Sequence, residues 1–198
     1  MTERSPADEV ARVARAIAAH RAVEADAPGA RRAAVALLLR PGAQGLELCF
    51  IRRAERTGDP WSGHVAFPGG REEPHDDTLE HTALRETFEE TGVDVRAGGR
   101  VLGRLDDLAP RSPLLPPVLV RPFVAVVPAG TEVVPNDGEV AGAFWVPLRT
   151  LHLPETSRES TVTVRGEPVA VTSFRYEEHV IWGMTERILR QLLGLLTQ

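Results

Sequence analysis

The chain has 198 residues, 42% of them hydrophobic and 26% charged, which suits one well-filled globular core. Its formal net charge of -5 argues against a nucleic-acid binder held by phosphate contacts, and a membrane-spanning role is excluded by the shortness of its longest apolar run, "AAVALLL". All 23 basic residues are Arg, so neither a Schiff-base lysine nor a phosphate-loop lysine is available.

In chain order, Val10, Val13, Ala14 and Ile17 recur at helical spacing after Pro6 and predict an N-terminal amphipathic helix. The opening "MTERSPADEV" contains no apolar segment of the kind a signal peptide needs, which reads as a cytoplasmic protein. "RAAVALLLR" and "LELCFIRR" read as strands joined by the hairpin signal "PGAQG". The second strand carries Cys49, the only cysteine, so disulfides and thiolate zinc sites are excluded and Cys49 reads as a small buried hydrophobe. A loop, "AERTGDPWSGH", leads to "VAFPGG", a short strand running into a glycine turn in which Gly69 and Gly70 are expected at positive φ. A helix follows over roughly 78–91, with Asp77 as its expected N-cap and Glu80 completing a capping box. "VLVRPFVAVVP" is a strong buried strand and "GAFWVPL" a shorter one. "STVTVRG" and "PVAVTSFRY" alternate as a hairpin around "GEP", and a last helix covers about 181–196 with Ile188, Leu189, Leu192 and Leu196 inward. Strands in the middle with helices at both ends and between them predict an α/β class protein, a layered sandwich around a mixed sheet.

The middle helix poses the functional question. On a helical wheel Ala83, Leu84, Thr87 and Phe88 share the side suited to packing, and Arg85, Glu86, Glu89 and Glu90 fill the other. Glu86 stands three and four residues before Glu89 and Glu90, and such like-charge neighbours cost roughly 0.2–0.5 kcal/mol per pair. Acids near a helix C-terminus also oppose its dipole, by roughly 0.3–1 kcal/mol each. Either this is a solvated acidic face, or a divalent cation turns the repulsion into coordination, as Mg²⁺ does with carboxylates and substrate phosphates. The wheel leaves both readings open.

The residues upstream narrow the choice. Residues 70–93 resemble the Nudix box, G-x5-E-x7-R-E-U-x-E-E-x-G-U with U aliphatic, through Gly70, Arg85, Glu86, Glu89, Glu90, Gly92 and Val93. The spacing from Gly70 to Arg85 is one residue longer than the pattern, Asp76 or Asp77 stands where the first Glu belongs, and Thr87 replaces the aliphatic residue. The resemblance implies a Nudix-type α/β/α sandwich, with residues 1–28 an N-terminal helical extension and 29–198 the hydrolase domain. It implies hydrolysis of a nucleoside diphosphate linked to another group, with Mg²⁺ or Mn²⁺ held by Glu86, Glu89, Glu90 and the Gly70 carbonyl. Arg85 would hold a Glu in place, and the general base would be Glu86 or, from a later loop, Glu139 in "PNDGEVAGAFWVP". The partner implied is a small nucleotide; members of the family are often dimers, and nothing in the sequence locates an interface.

A narrower resemblance runs through "LCFIRRAERTGDPWSGHVAFPGG", which is similar to the segment before the box in coenzyme A diphosphatases, and through "IWGMTERILRQLL", similar to their "WGxT" helix start. Arg53, Ala54, Gly63, Phe67, Pro68, Gly69 and Gly70 match, while Gly58 occupies the place of a second Arg, with Arg56 nearby. This implies coenzyme A or an acyl-CoA as substrate, with 3′-phospho-AMP and 4′-phosphopantetheine as products. Arg53 and Arg56 could clamp phosphate or, with Arg52, form an exposed basic edge; the Gly69 backbone can approach a ligand closely, and Trp61 reads either as a ring that stacks on a base or as a packing anchor of the loop. ADP-ribose or another nucleotide conjugate is the alternative substrate, and a non-catalytic nucleotide sensor the alternative of another class.

Overall fold

The computed structural model describes residues 5–55, 62–110, 117–136, 138–164 and 166–197. The chain forms helix α1 (Pro6–Ala19), the hairpin β1 (Arg31–Gly42) and β2 (Gly45–Arg53), and two short strands, β3 (Val65–Ala66) and β4 (Gly69–Arg71). Helix α2 (Leu79–Thr91) follows, then β5 (Arg100–Arg104), β6 (Val118–Val126), β7 (Val140–Pro147) and the one-turn α3 (Leu148–Leu151). The chain ends in β8 (Ser157–Val164), β9 (Glu167–Tyr176), β10 (His179–Trp182) and α4 (Gly183–Leu196).

Seven strands make one mixed sheet in which β1 is central. It runs parallel to β6 over nine paired residues, Arg31↔Val118 to Leu39↔Val126. On its other edge it is shared: β4 takes Ala33 to Val35, and β2 takes Leu39 to Gly42. The two partners diverge from there, β2 continuing to β7 and β3. Strands β8, β9 and β10 form a separate antiparallel sheet.

Alternation along β1 sorts the interior into two layers. Ala34, Ala36 and Leu38 face Leu79 and Ala83 of α2. Leu37 and Leu39 face the other way, into a core with Val13 and Ile17 of α1 and Ile188, Leu189, Leu192 and Leu196 of α4. This is the α/β/α sandwich that the pattern predicts. The small alanines on the α2 side let that helix approach the sheet closely. Cys49 is buried in the α2 layer, and burial pushes its thiol up to about 12, so it is inert.

Three local expectations are corrected. The N-cap of α2 is Thr78, whose hydroxyl accepts from the His81 N–H at 3.1 Å; Asp77 is not the cap and Glu80 closes no capping box. Phe88 is 56% exposed, because Ala83 and Thr87, both fully buried, take the contact with the sheet. The Pro-Gly-Gly segment is more than a turn: Gly69 and Gly70 pair with Val35 and Ala34 as strand β4. Strands β5 and β10 carry no comparable signal; β5 is five residues with a bulge at Gly103, where φ is 148°.

The exposure of Phe88 gives a direct check. Phe88→Ser should change unfolding free energy by less than about 0.5 kcal/mol, as exposed substitutions do. Leu79→Ala, which empties a buried position on the same helix, should cost about 2–5 kcal/mol in urea titration.

Candidate functional site

The site is organised around Arg85. Asp76, in the loop before α2, has a side chain fully shielded from solvent. Its Oδ1 accepts from Arg85 Nε and its Oδ2 from Arg85 Nη2, both at 3.0 Å. The Thr82 hydroxyl (3.0 Å) and the Glu73 N–H (2.9 Å) donate to Oδ2 as well. These donors, the guanidinium first, hold the Asp76 carboxyl well below the usual carboxylate range and raise Arg85 in turn. Fixed in this way, Arg85 donates through Nη1 to Glu86 Oε1 and Glu89 Oε2, each at 3.1 Å, and through Nη2 to the Arg71 carbonyl. Asp76 therefore acts structurally, where the box pattern has a Glu.

The glycines bring β4 against the acids. Gly69 has φ 153°, and a Cβ there would lie 2.3 Å from the Ala34 carbonyl oxygen, so only glycine fits. Gly70, contrary to expectation, is not at positive φ. Its need is for space, because a Cβ would sit 2.3 Å from the Glu86 carboxyl. The Gly69 N–H donates to Glu90 Oε2 at 2.8 Å. Glu90 is almost fully buried, and burial pushes its carboxyl up to about 8; the Gly69 hydrogen bond pulls it back, Glu86 pushes it further up, and Arg53 and Glu139 act more weakly in opposite senses. Glu86 is also raised by burial, against Arg85 and in concert with Glu89 and Glu139.

Glu139 reaches this group from a loop 49 positions after Glu90. The last carbonyls of α2 lack partners within the helix. Two of them are used by the loop: Glu90 O accepts from the Asn136 N–H and Thr91 O from the Val134 N–H. The Glu139 N–H donates to Asn136 O, and its own carbonyl accepts from the Ala54 N–H. Glu139 is thus tied to the acidic helix on one side and to the end of β2 on the other.

The structure brings Glu86, Glu139, Arg53, Gly69 and Gly70 to one cavity of about 570 Å³. Glu90 lies behind Gly69, and Glu89, with its side chain 47% exposed, is held at the outer side by Arg85. Arg56 and Trp61 lie outside the described residues. Sequence reading did not assign Arg71, His64, Trp182, Met184 and Thr185 to the site, and they line the same cavity. The tryptophan-glycine dipeptide at the start of α4 was their one signal.

Among the described residues no three His, Cys, Asp or Glu side chains converge on a single metal-sized point. The donors are nonetheless all oxygen, from Glu86, Glu89, Glu90 and the peptide of Gly70, which is the chemistry that suits Mg²⁺, Ca²⁺ or Mn²⁺. Burial raises the pKa of Glu86 and Glu90, neighbouring carboxylates add to it, and a cation among them would favour their charged forms. The donor set fits a hard divalent ion.

Comparison with known proteins agrees with this geometry. A family model of the NUDIX domain matches residues 29–164. A protein named uncharacterized Nudix hydrolase NudL, from Photorhabdus laumondii, is 37% identical over 143 residues, covering 72% of this chain and 74% of that one. NudL of Yersinia pestis (strain Pestoides F) is 37% identical over 147 residues, covering 73% and 70%. Among solved structures, a MutT/nudix family protein from Enterococcus faecalis superposes with a TM-score of 0.55 at 17% identity, covering 100% of this chain and 76% of that one. The NUDIX hydrolase from Alicyclobacillus acidocaldarius gives 0.51 at 25% identity, covering 61% and 80%. No helix among the described residues is long and apolar enough to cross a membrane.

The buried acid makes a pH prediction. A carboxyl whose folded pKa lies above its unfolded value stabilises the fold below the unfolded pKa and loses that contribution as pH rises through the folded one. With metal removed by EDTA, the thermal midpoint should fall as pH rises from 4.5 towards 8, and Glu90→Gln should flatten that slope. An unchanged slope in the variant would mean that Glu90 is not the titrating group.

Proposed function

The chain belongs to the Nudix family of hydrolases, which act on nucleotide derivatives and generally use divalent metal ions, and on that premise we propose that it cleaves the diphosphate of coenzyme A or an acyl-CoA. The products are 3′-phospho-AMP and 4′-phosphopantetheine or its acyl form. One observation carries the substrate assignment. Arg53 from the segment before the box, Gly70 and Glu86 from the box, and Trp182, Gly183 and Thr185 from the last helix start are separated by up to 132 positions, yet they line one cavity. These are the three stretches through which the sequence resembles coenzyme A diphosphatases. The cavity offers acids at one part and apolar walls such as Val35, Val120 and Ile188 elsewhere, a mixture suited to a diphosphate with an apolar arm.

In this reading Glu86, Glu89, Glu90 and the Gly70 carbonyl hold Mg²⁺ or Mn²⁺. The ion, when bound, neutralises the diphosphate and lowers the pKa of the attacking water. Arg85 orients Glu86 and Glu89, and Asp76 orients Arg85. Gly69 lets β4 lie close against β1, Gly70 leaves room for the Glu86 carboxyl, and Arg53 pairs with phosphate. A water oxygen attacks one phosphorus, the bridging P–O bond breaks, and the bridging oxygen leaves on the other phosphate. The water proton passes to Glu139. We choose Glu139 over Glu86 because its backbone brings it to the cavity from a loop separate from α2, the helix whose acids would hold the ion.

The test is product analysis by mass spectrometry with Mg²⁺ or Mn²⁺ over coenzyme A, acyl-CoA, ADP-ribose, NADH and dinucleoside polyphosphates. Coenzyme A or an acyl-CoA should turn over fastest, and EDTA should abolish the reaction. Glu139→Gln should lower kcat by about 10²–10⁴-fold, the range for a lost general base. Turnover of ADP-ribose with coenzyme A inert would overturn the substrate assignment.

A further inference from the structure

We propose that Trp182 is the nucleobase platform of the active-site cavity, and that it selects the adenine end of the substrate. The proposal rests on the nucleotide-diphosphate reading above and gives one end of that substrate a subsite.

Among the described residues three aromatic rings line the cavity: His64, Phe67 and Trp182. Phe67 is buried and stacked on Phe50 at 4.9 Å between centroids, so it belongs to the core. Trp182 is half-buried, which places part of a large indole in the core and leaves part accessible from the cavity. His64 meets it edge-on, with centroids 4.8 Å apart and planes at 70°, which restricts how the indole can turn. Two backbone features hold the position. Strand β10 pairs Trp182 with Ser173 of β9. One turn into α4, the Thr185 hydroxyl donates to the Val65 carbonyl at 3.2 Å and fastens the helix start to β3.

The alternatives on this cavity are poor platforms for a base. Val35, Val120, Met184 and Ile188 are aliphatic, the Thr185 hydroxyl is bonded to Val65, and Arg53, Arg71, Glu86 and Glu139 are charged. Bases stack on aromatic faces for about 1–3 kcal/mol each, which is roughly 5–150-fold in affinity. A cavity of about 570 Å³ lies within the roughly 300–1,000 Å³ usual for ligand pockets. Arg53, whose N–H donates to the His64 carbonyl, lines the same cavity and links the aromatic pair to the end where Glu139 and Glu86 stand. A base on Trp182 leaves the phosphates to the part of the same cavity lined by Arg53, Glu86 and Glu139. Trp61, the sequence-based choice, lies outside the described residues, so the structure supplies Trp182 on independent grounds.

The probes are 3′-phospho-AMP, AMP and 4′-phosphopantetheine, titrated calorimetrically into the wild-type chain and into Trp182→Phe and Trp182→Leu. Phe keeps an aromatic face; Leu keeps apolar bulk without one, and both are closer to the native volume than Ala. Trp182→Leu should weaken both adenine nucleotides by roughly 5–150-fold. Trp182→Phe should retain most of the affinity, and phosphopantetheine should bind all three proteins alike. In turnover, the Leu variant should show a raised KM at little-changed kcat. Adenine-nucleotide affinity unchanged within twofold in the Leu variant overturns the platform, as does an equal loss for phosphopantetheine, which would indicate general damage to the pocket. If wild-type protein cleaves a nucleotide diphosphate and the Leu variant matches its KM, this inference alone falls. If wild-type protein cleaves none of the panel, the functional reading falls with it.

Discussion

The buried ion pair between Asp76 and Arg85 is the constraint on which the site depends. An acidic helix end is unfavourable twice over, through side-chain repulsion and through the helix dipole. Arg85 is the cation placed inside that cluster, and it needs a fixed orientation to serve two carboxylates at once. Asp76 provides it by a two-point contact that the planar guanidinium is shaped to accept. Asp76 is itself satisfied by a hydroxyl and a peptide N–H, so no buried charge is left uncompensated. Losing this carboxylate would free Arg85 to follow either Glu, and the spacing of the acids would no longer be defined. The loop before the helix is one residue longer than the family pattern, and the acid at its end is one methylene shorter.

A second principle is that the backbone, more than the side chains, assembles the site. Helix α2 ends with carbonyls that need donors, and the loop after β6 supplies them, which carries Glu139 into range. Strand β4 contributes an N–H to Glu90 and glycines that leave room for Glu86. The start of α4 is tied to β3 by a hydroxyl-to-carbonyl bond. Each of these hydrogen bonds joins segments distant in sequence with a backbone N–H or C=O on at least one side.

This explains how much was legible beforehand. The sandwich, the β1–β2 hairpin, the buried strand β6 and the last helix all have strong hydrophobic periodicity, and the structure has them. The acidic helix and its glycines were legible because their types and spacing are chemically unusual. Phe88 was misplaced because a wheel cannot tell which of two adjacent apolar positions the sheet will take; the small alanines of β1 bring Ala83 and Thr87 in and turn Phe88 out. Asp77 and Thr78 are both good caps by residue type, and the structure uses Thr78. Strands β5 and β10 were invisible because five and four residues are too few to show a period. His64 and Trp182 could not be paired from sequence, since their contact depends on how β10 and β3 come together.

The shared edge of β1 has one more implication. Because β4 and β2 both hydrogen-bond to that edge and then part, the cleft is a fork in the sheet, fixed by strand connectivity. Trimming or enlarging a side chain on the cavity wall away from Gly69 and Gly70 changes the tenant and leaves the doorway standing. Such a scaffold can exchange one nucleotide conjugate for another through a few replacements on the walls, while the acids of α2 stay where they are.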